Sequence, residues 1–165
     1  MSPIERVLVA LEEAGVRYLL VGGVAVVLHG YLRTTADLDL ILALDEDNVA
    51  RAGEALGGLG YRPRAPVDLA GLADPEQRRA WIEAKGLTVL SLWSPEQPAL
   101  ELDLFVEEPL DFESAHGRAV RTDLGPCEAS VVSLDDLLSL KRRAGRPRDL
   151  EDIEALEALR DGDGS

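Results

Sequence analysis

Two carboxylates, Asp37 and Asp39, alternate with leucines in the stretch R-T-T-A-D-L-D-L-I-L. Polar and apolar residues with a period of two fit a β-strand, because successive side chains along a strand point to opposite faces. Asp37 and Asp39 therefore share one face, while Leu38 and Leu40 share the other. Carboxylates about 6–7 Å apart along a strand repel each other unless positive charge lies between them. A hard divalent cation such as Mg²⁺ meets that need, since it takes oxygen ligands and keeps room for substrate phosphates. Upstream, Gly22 and Gly23 follow the apolar run R-Y-L-L-V. A glycine pair at the start of a helix is a place where backbone can approach phosphate. Together the two features point to nucleotide chemistry.

A second stretch, A-L-E-L-D-L-F-V, repeats the alternation and puts Glu101 and Asp103 on one face. If that strand lies beside 37–43, Asp103 joins Asp37 and Asp39. Three carboxylates on neighbouring strands are a seat for one or two metal ions, as phosphoryl-transfer sites require.

The remaining pattern predicts a helix over 4–14 closed by Gly15, a buried strand over 17–21, and a short helix over 24–29 closed by Gly30. Asp45 or Asp47 caps a helix reaching Leu56, which Gly57, Gly58 and Gly60 end. Residues 62–66 read as a loop. Residues 75–85 read as a helix with Pro75 in its first position. Strands follow over 87–93 and 99–106, then a small hairpin or edge strands over 118–123 and 127–132 around Gly125-Pro126. Ser133 and Asp136 form a capping box for a helix over 134–144. Gly145 and Pro147 break the chain before a last helix over 147–159, with a frayed D-G-D-G-S tail. These elements suggest one α/β (α+β) domain over 1–165, with a core over about 1–132 and C-terminal helices over about 133–160.

The formal charge of −14 argues against broad nucleic-acid binding, which rests on lysine and arginine contacts to phosphate. Lys141, Arg142, Arg143, Arg146 and Arg148 nevertheless form one basic run, either a solvated helix end or a guide for a triphosphate. No apolar run reaches the length of a membrane span, and no signal peptide is recognisable. The single cysteine, Cys127, reads as a half-buried strand residue, and a cytoplasmic location is expected. His29 reads as a helix-end residue, and Trp81 and Trp93 read as core or interface residues. Arg33 could contact phosphate or fix the acidic strand through a carboxylate pair.

V-G-G, thirteen residues and D-L-D-L resembles the signature of the polymerase-β-like nucleotidyltransferase superfamily. The longer string G-G-V-A-V-V-L-H-G-Y-L-R-T-T-A-D-L-D-L is similar to the branch of AbiEii-type abortive-infection toxins. So is D-D-L-L-S-L-K-R-R-A-G-R-P-R-D-L-E-D-I near the C-terminus. The resemblance covers residues 17–43 and 134–156, while residues 60–95 carry no match. It implies a nucleotidyltransferase fold, a mixed β-sheet flanked by helices with a short C-terminal helical pair. It also implies that Gly22 and Gly23, with Arg33, Thr34 and Lys141, hold the nucleotide. Asp37, Asp39 and Asp103 would bind Mg²⁺, with Asp103 helping to activate an acceptor hydroxyl. Lys141 would meet the phosphates, and the later family aspartate would be Asp149 or Asp152.

The activity so implied is Mg²⁺-dependent transfer of a nucleoside monophosphate from a nucleoside triphosphate to a hydroxyl. The acceptor would be a tRNA 3′ end, a protein side chain or a small molecule, with a cognate antitoxin as a further partner in a toxin–antitoxin pair. The alternatives are an antibiotic nucleotidyltransferase and a non-catalytic module of the same fold that binds a nucleotide or a partner.

Overall fold

A computed structural model describes residues 1–163. Seven strands form one mixed sheet, ordered β3-β4-β5-β2-β1-β7-β6. The strands are β1 (Tyr18–Val21), β2 (Asp37–Leu42), β3 (Arg62–Pro63), β4 (Val89–Trp93), β5 (Glu101–Phe105), β6 (Val120–Asp123) and β7 (Glu128–Val131). The helices are α1 (Pro3–Glu13), α2 (Gly22–Leu28), α3 (Glu46–Gly58), α4 (Pro75–Lys85), α5 (Phe112–Gly117), α6 (Leu134–Ala144) and α7 (Pro147–Asp163), with a 3-10 turn at Leu69–Ala73. The expected mixed sheet flanked by helices, with a C-terminal helical pair, is the architecture found.

The sheet is built around β2. It runs antiparallel to β1, pairing Val21 with Asp39, and parallel to β5, pairing Asp39 with Asp103 and Asp37 with Glu101. The apolar partners of each alternation, Leu38, Leu40, Leu102 and Leu104, are fully buried in the main core, joined there by Leu90 and Leu92 of β4. The acidic face is only half-buried. One alternation thus supplies both the hydrophobic driving force and the polar surface.

Caps set most helix boundaries. Ser133 caps α6, its Oγ accepting from the Asp136 backbone N–H, while the Asp136 carboxylate accepts from that hydroxyl and not from the Ser133 N–H of a full capping box. Asp45, rather than Asp47, caps α3 by accepting from the Asn48 N–H. Gly145 closes α6 in the left-handed conformation at φ 61°.

Several boundaries differ from the sequence reading. Residues 62–66 are not all loop: Arg62 and Pro63 pair with Trp93 and Leu92 as an edge strand. An edge position suits Pro63, which has no N–H to donate. The 3-10 turn at 69–73 and α5 were not expected; both are short and are started by the side chains of Asp68 and Asp111. Helix α2 begins at Gly22 itself rather than after the glycines. Helix α7 continues through Asp163, so residues 161–163 are helical and not frayed, while residues 164–165 lie outside the described residues.

One buried polar residue ties three elements together. Asn48 is fully buried and accepts from the Arg17 N–H at 2.7 Å. Its side-chain amide donates to the carbonyls of Arg17 and Ala43 at 2.9 and 2.8 Å. The start of β1, the end of β2 and the first turn of α3 meet at this amide. Asn48→Ala strands the Arg17 N–H and the Ala43 carbonyl, leaves the Arg17 carbonyl only the Ala43 N–H, and is predicted to cost about 2–4 kcal/mol. Urea denaturation of the variant would show this as a lower midpoint with an unchanged slope; a midpoint equal to wild type would refute it.

Candidate functional site

The acidic face of β2 and β5 forms the floor of a cavity of about 570 Å³. Asp37, Asp39 and Asp103 line it together with Gly22, Gly23, Arg33, Lys141 and Asp149. The parallel register places Asp39 directly opposite Asp103. On the next strand Ser91 pairs with Asp103, and its Oγ donates to Asp103 Oδ1 at 2.6 Å. Ser91 was not foreseen. Its significance depends on the β4–β5 register, which a single strand pattern does not carry.

The glycine pair is required by this floor. Gly22 has φ +67°, and a Cβ there would fall 2.0 Å from Asp39 Oδ2. A Cβ on Gly23 would fall 2.5 Å from Thr35 Oγ1 and 3.2 Å from Arg33 Nη1. The Gly23 N–H acts on the Asp39 carboxylate, favouring its charged form. The first turn of α2 therefore packs edge to edge against the acidic strand and the loop that precedes it.

Opposite the floor is a cationic rim on α6, α7 and the 29–36 loop. Lys141 is buried and its Nζ lies 3.1 Å from Asp149 Oδ1 and 3.0 Å from Asp152 Oδ2. Arg33 reaches the same Asp152, with Nη2 donating to Oδ2 at 3.0 Å. The Arg33 Nε–Asp152 Oδ1 contact at 2.8 Å is an ion pair outside hydrogen-bond geometry, so both of these buried atoms lack a hydrogen-bond partner. Arg146 donates from Nε to Asp149 Oδ2 at 2.7 Å. Both candidate aspartates thus bind Lys141, with Asp149 facing the cavity and Asp152 behind it. Three cations meet two carboxylates here, so the rim keeps net positive charge.

Arg33 is therefore not paired with the acidic strand, one of the two roles its sequence context allowed; its carboxylate partner is on α7. Thr34 is exposed and offers its carbonyl to Arg33 and Arg148, while its neighbour Thr35 lines the cavity. The basic run divides. Lys141, Arg146 and Arg148 line the cavity, whereas Arg142 pairs with Glu157 and Arg143 with the Pro109 carbonyl. His29 ends α2 and its Nε2 contacts the Val132 carbonyl at 2.8 Å. Trp81 is buried in the core, and Trp93 lies half-buried under the Arg64 guanidinium.

Burial and like charge act together on the floor. Asp39 is pushed up to about 6, first by burial and then by Asp103 and Asp37, against smaller opposing effects of Lys141 and the Gly23 N–H. Burial also raises Asp103, with Asp37 and Glu101 adding and the Ser91 hydroxyl opposing. Asp149 behaves differently: burial raises it, but hydrogen bonds from Arg146 and Lys141 outweigh that and hold it below the usual carboxylate range.

The carboxylates share the cavity without forming a ready-made cage. Among the described residues no group of three or more His, Cys, Asp or Glu side chains is placed to hold a metal ion. Mg²⁺ does not need such a cage, since it is commonly held by one or two carboxylates with water and phosphate oxygens. Two hard oxygen donors on one strand, beside a carboxylate raised first by burial and then by like charge, fit that mode.

No protein-family model matches the chain, and no curated protein matches it in sequence. Solved structures do match in fold. Lincosamide antibiotic adenylyltransferase LnuA, lincomycin-bound, is similar with a TM-score of 0.62 and 19% identity, over 96% of this chain and 98% of that one. ANT(2″)-Ia in complex with adenylyl-2″-tobramycin is similar with a TM-score of 0.59 and 15% identity, over 96% and 93%. TM1012 from Thermotoga maritima, assigned to the nucleotidyltransferases, gives a TM-score of 0.55 and 12% identity, over 96% and 91%.

The raised Asp39 has a measurable consequence. A carboxyl held above its unfolded-state value favours folding at low pH. That contribution is complete below the ordinary 3.8 and is lost as pH rises through about 6. Asp39→Asn is therefore predicted to stabilise the ligand-free protein at pH 7.5 by on the order of 1–3 kcal/mol, and by much less at pH 4. Thermal unfolding at the two pH values would test this, and a variant less stable than wild type at pH 7.5 would refute it. With these neighbours in view, the chain has the nucleotidyltransferase fold.

Proposed function

We propose that the chain is a Mg²⁺-dependent nucleotidyltransferase that moves a nucleoside monophosphate from a nucleoside triphosphate to a hydroxyl. The observation that carries this reading is the polarity of the cavity, with a carboxylate floor on β2 and β5 facing a cationic rim on α6, α7 and the 29–36 loop. Gly22 and Gly23 let backbone approach the triphosphate, and Arg33, Lys141 and Arg146 neutralise its charge. When bound at Asp37 and Asp39, Mg²⁺ supplies further charge neutralisation at the phosphates. Asp103 accepts the acceptor hydroxyl proton through Oδ2, since Ser91 occupies Oδ1. The acceptor oxygen forms a bond to the α-phosphorus, the α–β anhydride bond breaks, and pyrophosphate leaves. The protein's contribution is positioning and electrostatics, with no covalent intermediate.

Two acceptor classes follow. A small-molecule acceptor of the antibiotic type is supported by the fold neighbours, two of which were solved with tobramycin adenylate or lincomycin. A toxin role, with a tRNA 3′ end or a protein as acceptor and a cognate antitoxin, is supported by the resemblance of the glycine-to-aspartate string and the α6–α7 sequence. Among the described residues no helix is long and apolar enough to cross a membrane.

Incubation with each α-labelled triphosphate, Mg²⁺ and total RNA, lysate protein, tobramycin or lincomycin would identify the acceptor. Label transfer is expected with one acceptor class and is lost in Asp39→Asn. Asp103→Asn is predicted to lower kcat by about 10²–10⁴-fold, with triphosphate affinity changed far less. No labelled product and no Mg²⁺-dependent thermal stabilisation by ATP, GTP, CTP or UTP would overturn the enzymatic reading.

A further inference from the structure

The sheet face that carries the carboxylates extends beyond the cavity. In β4 and β5 the residues on that face are Val89, Ser91, Trp93, Glu101, Asp103 and Phe105, and all six are half-buried. Their alternates, including Leu90, Leu92, Leu102 and Leu104, are buried. The face over β4 and β5 is therefore open. The cationic rim reaches the cavity from the other side of β2, because α6 follows β7 and packs on α2. With the triphosphate drawn to that rim, the open route to Asp103 runs over β4 and β5.

That route already holds a cation. Edge strand β3 continues its ladder through the Arg64 N–H, which donates to the Ser91 carbonyl at 2.9 Å. The Arg64 side chain then lies over Trp93, with Cζ 5.8 Å from the ring centroid, and pairs with Glu101. The Arg64 side chain is 53% exposed and that of Glu101 32%. An exposed cation–π contact and an exposed ion pair are each weak, so a competing cation can exchange for Arg64. Glu101 is two residues from Asp103 on the same face and lies opposite Asp37. The seat is thus continuous with the proposed transfer site.

We propose that Trp93 and Glu101 form an acceptor subsite for the protonated amine of a small hydroxylated amine. Arg64 occupies the subsite when no acceptor is present and swings out when one binds. The amine stacks on Trp93 and pairs with Glu101, and its scaffold lies on Ser91 and Val89, with a hydroxyl directed to Asp103. Charge decides the class of ligand. Glu101, Asp103 and Asp37 repel a polyanion such as an RNA end, and a neutral polyol gains nothing from the seat that a cation fills. The delivery of a nucleotide to this ligand rests on the nucleotidyl-transfer reading; its binding does not.

Isothermal titration of the full chain with tobramycin, a hydroxylated polyamine, tests the subsite. Arg64→Ala removes the internal competitor and is expected to tighten tobramycin by about three- to tenfold. Glu101→Gln and Trp93→Ala are expected to weaken it by about fivefold or more, with Mg²⁺–ATP affinity unchanged in all three. Tightening by Arg64→Ala cannot come from a folding defect, so the test survives an unstable Trp93 variant. Trehalose and a short RNA with a free 3′ hydroxyl are expected to show no dependence on Arg64 or Glu101. The subsite is overturned if Arg64→Ala fails to tighten tobramycin, or if the RNA or trehalose follows the tobramycin pattern. Amine binding in the expected pattern with no labelled product would instead remove the transfer reading and leave the subsite standing.

Discussion

The parallel pairing of β2 with β5 is the contact on which the site depends. It sets Asp39 beside Asp103 and Asp37 beside Glu101, and the alternation buries four leucines on the opposite face. A slip of one residue in either strand would bury carboxylates and expose leucines. The hydrophobic core therefore holds the acids in register, and the acids define where positive charge must come. Every other element of the cavity answers that demand. Gly22 leaves room for Asp39, Ser91 holds one oxygen of Asp103, and α6, α7 and the 29–36 loop bring the cations.

The floor was legible in the sequence because strand alternation is local. Two residues of separation were enough to place Asp37 with Asp39 and Glu101 with Asp103. The glycine pair was legible for the same reason. The rim was less so. Arg33 and Asp152 are 119 positions apart, and no local pattern links them. Both Asp149 and Asp152 bind Lys141, so the choice between them was not a choice the fold makes. Ser91 and the edge strand at Arg62–Pro63 become visible only through the register of β4. The 3-10 turn and α5 span five and six residues and are started by one aspartate each, too short for helical periodicity to announce.

Stability and chemistry oppose each other at the floor. Asp39 is half-buried beside two like charges and is raised to about 6. A structure selected for stability alone would place a neutral residue there. The rim shows the converse arrangement, in which buried Lys141 and half-buried Arg33 are compensated by two buried carboxylates. Removing one partner from such a group is far more damaging than never having built it. The two halves of the cavity are thus stabilised by opposite means, one by apolar packing behind it and the other by charge pairing within it.

The order of synthesis gives the rim a further meaning. Lys141 and Arg33 precede their counterions Asp149 and Asp152 along the chain. A nascent chain that has completed all seven strands still lacks both aspartates. The carboxylate floor on β2 and β5 lies earlier in the chain than the aspartates that pair the rim. The rim is thus paired by contacts between α6 and the 29–36 loop on one side and α7 on the other.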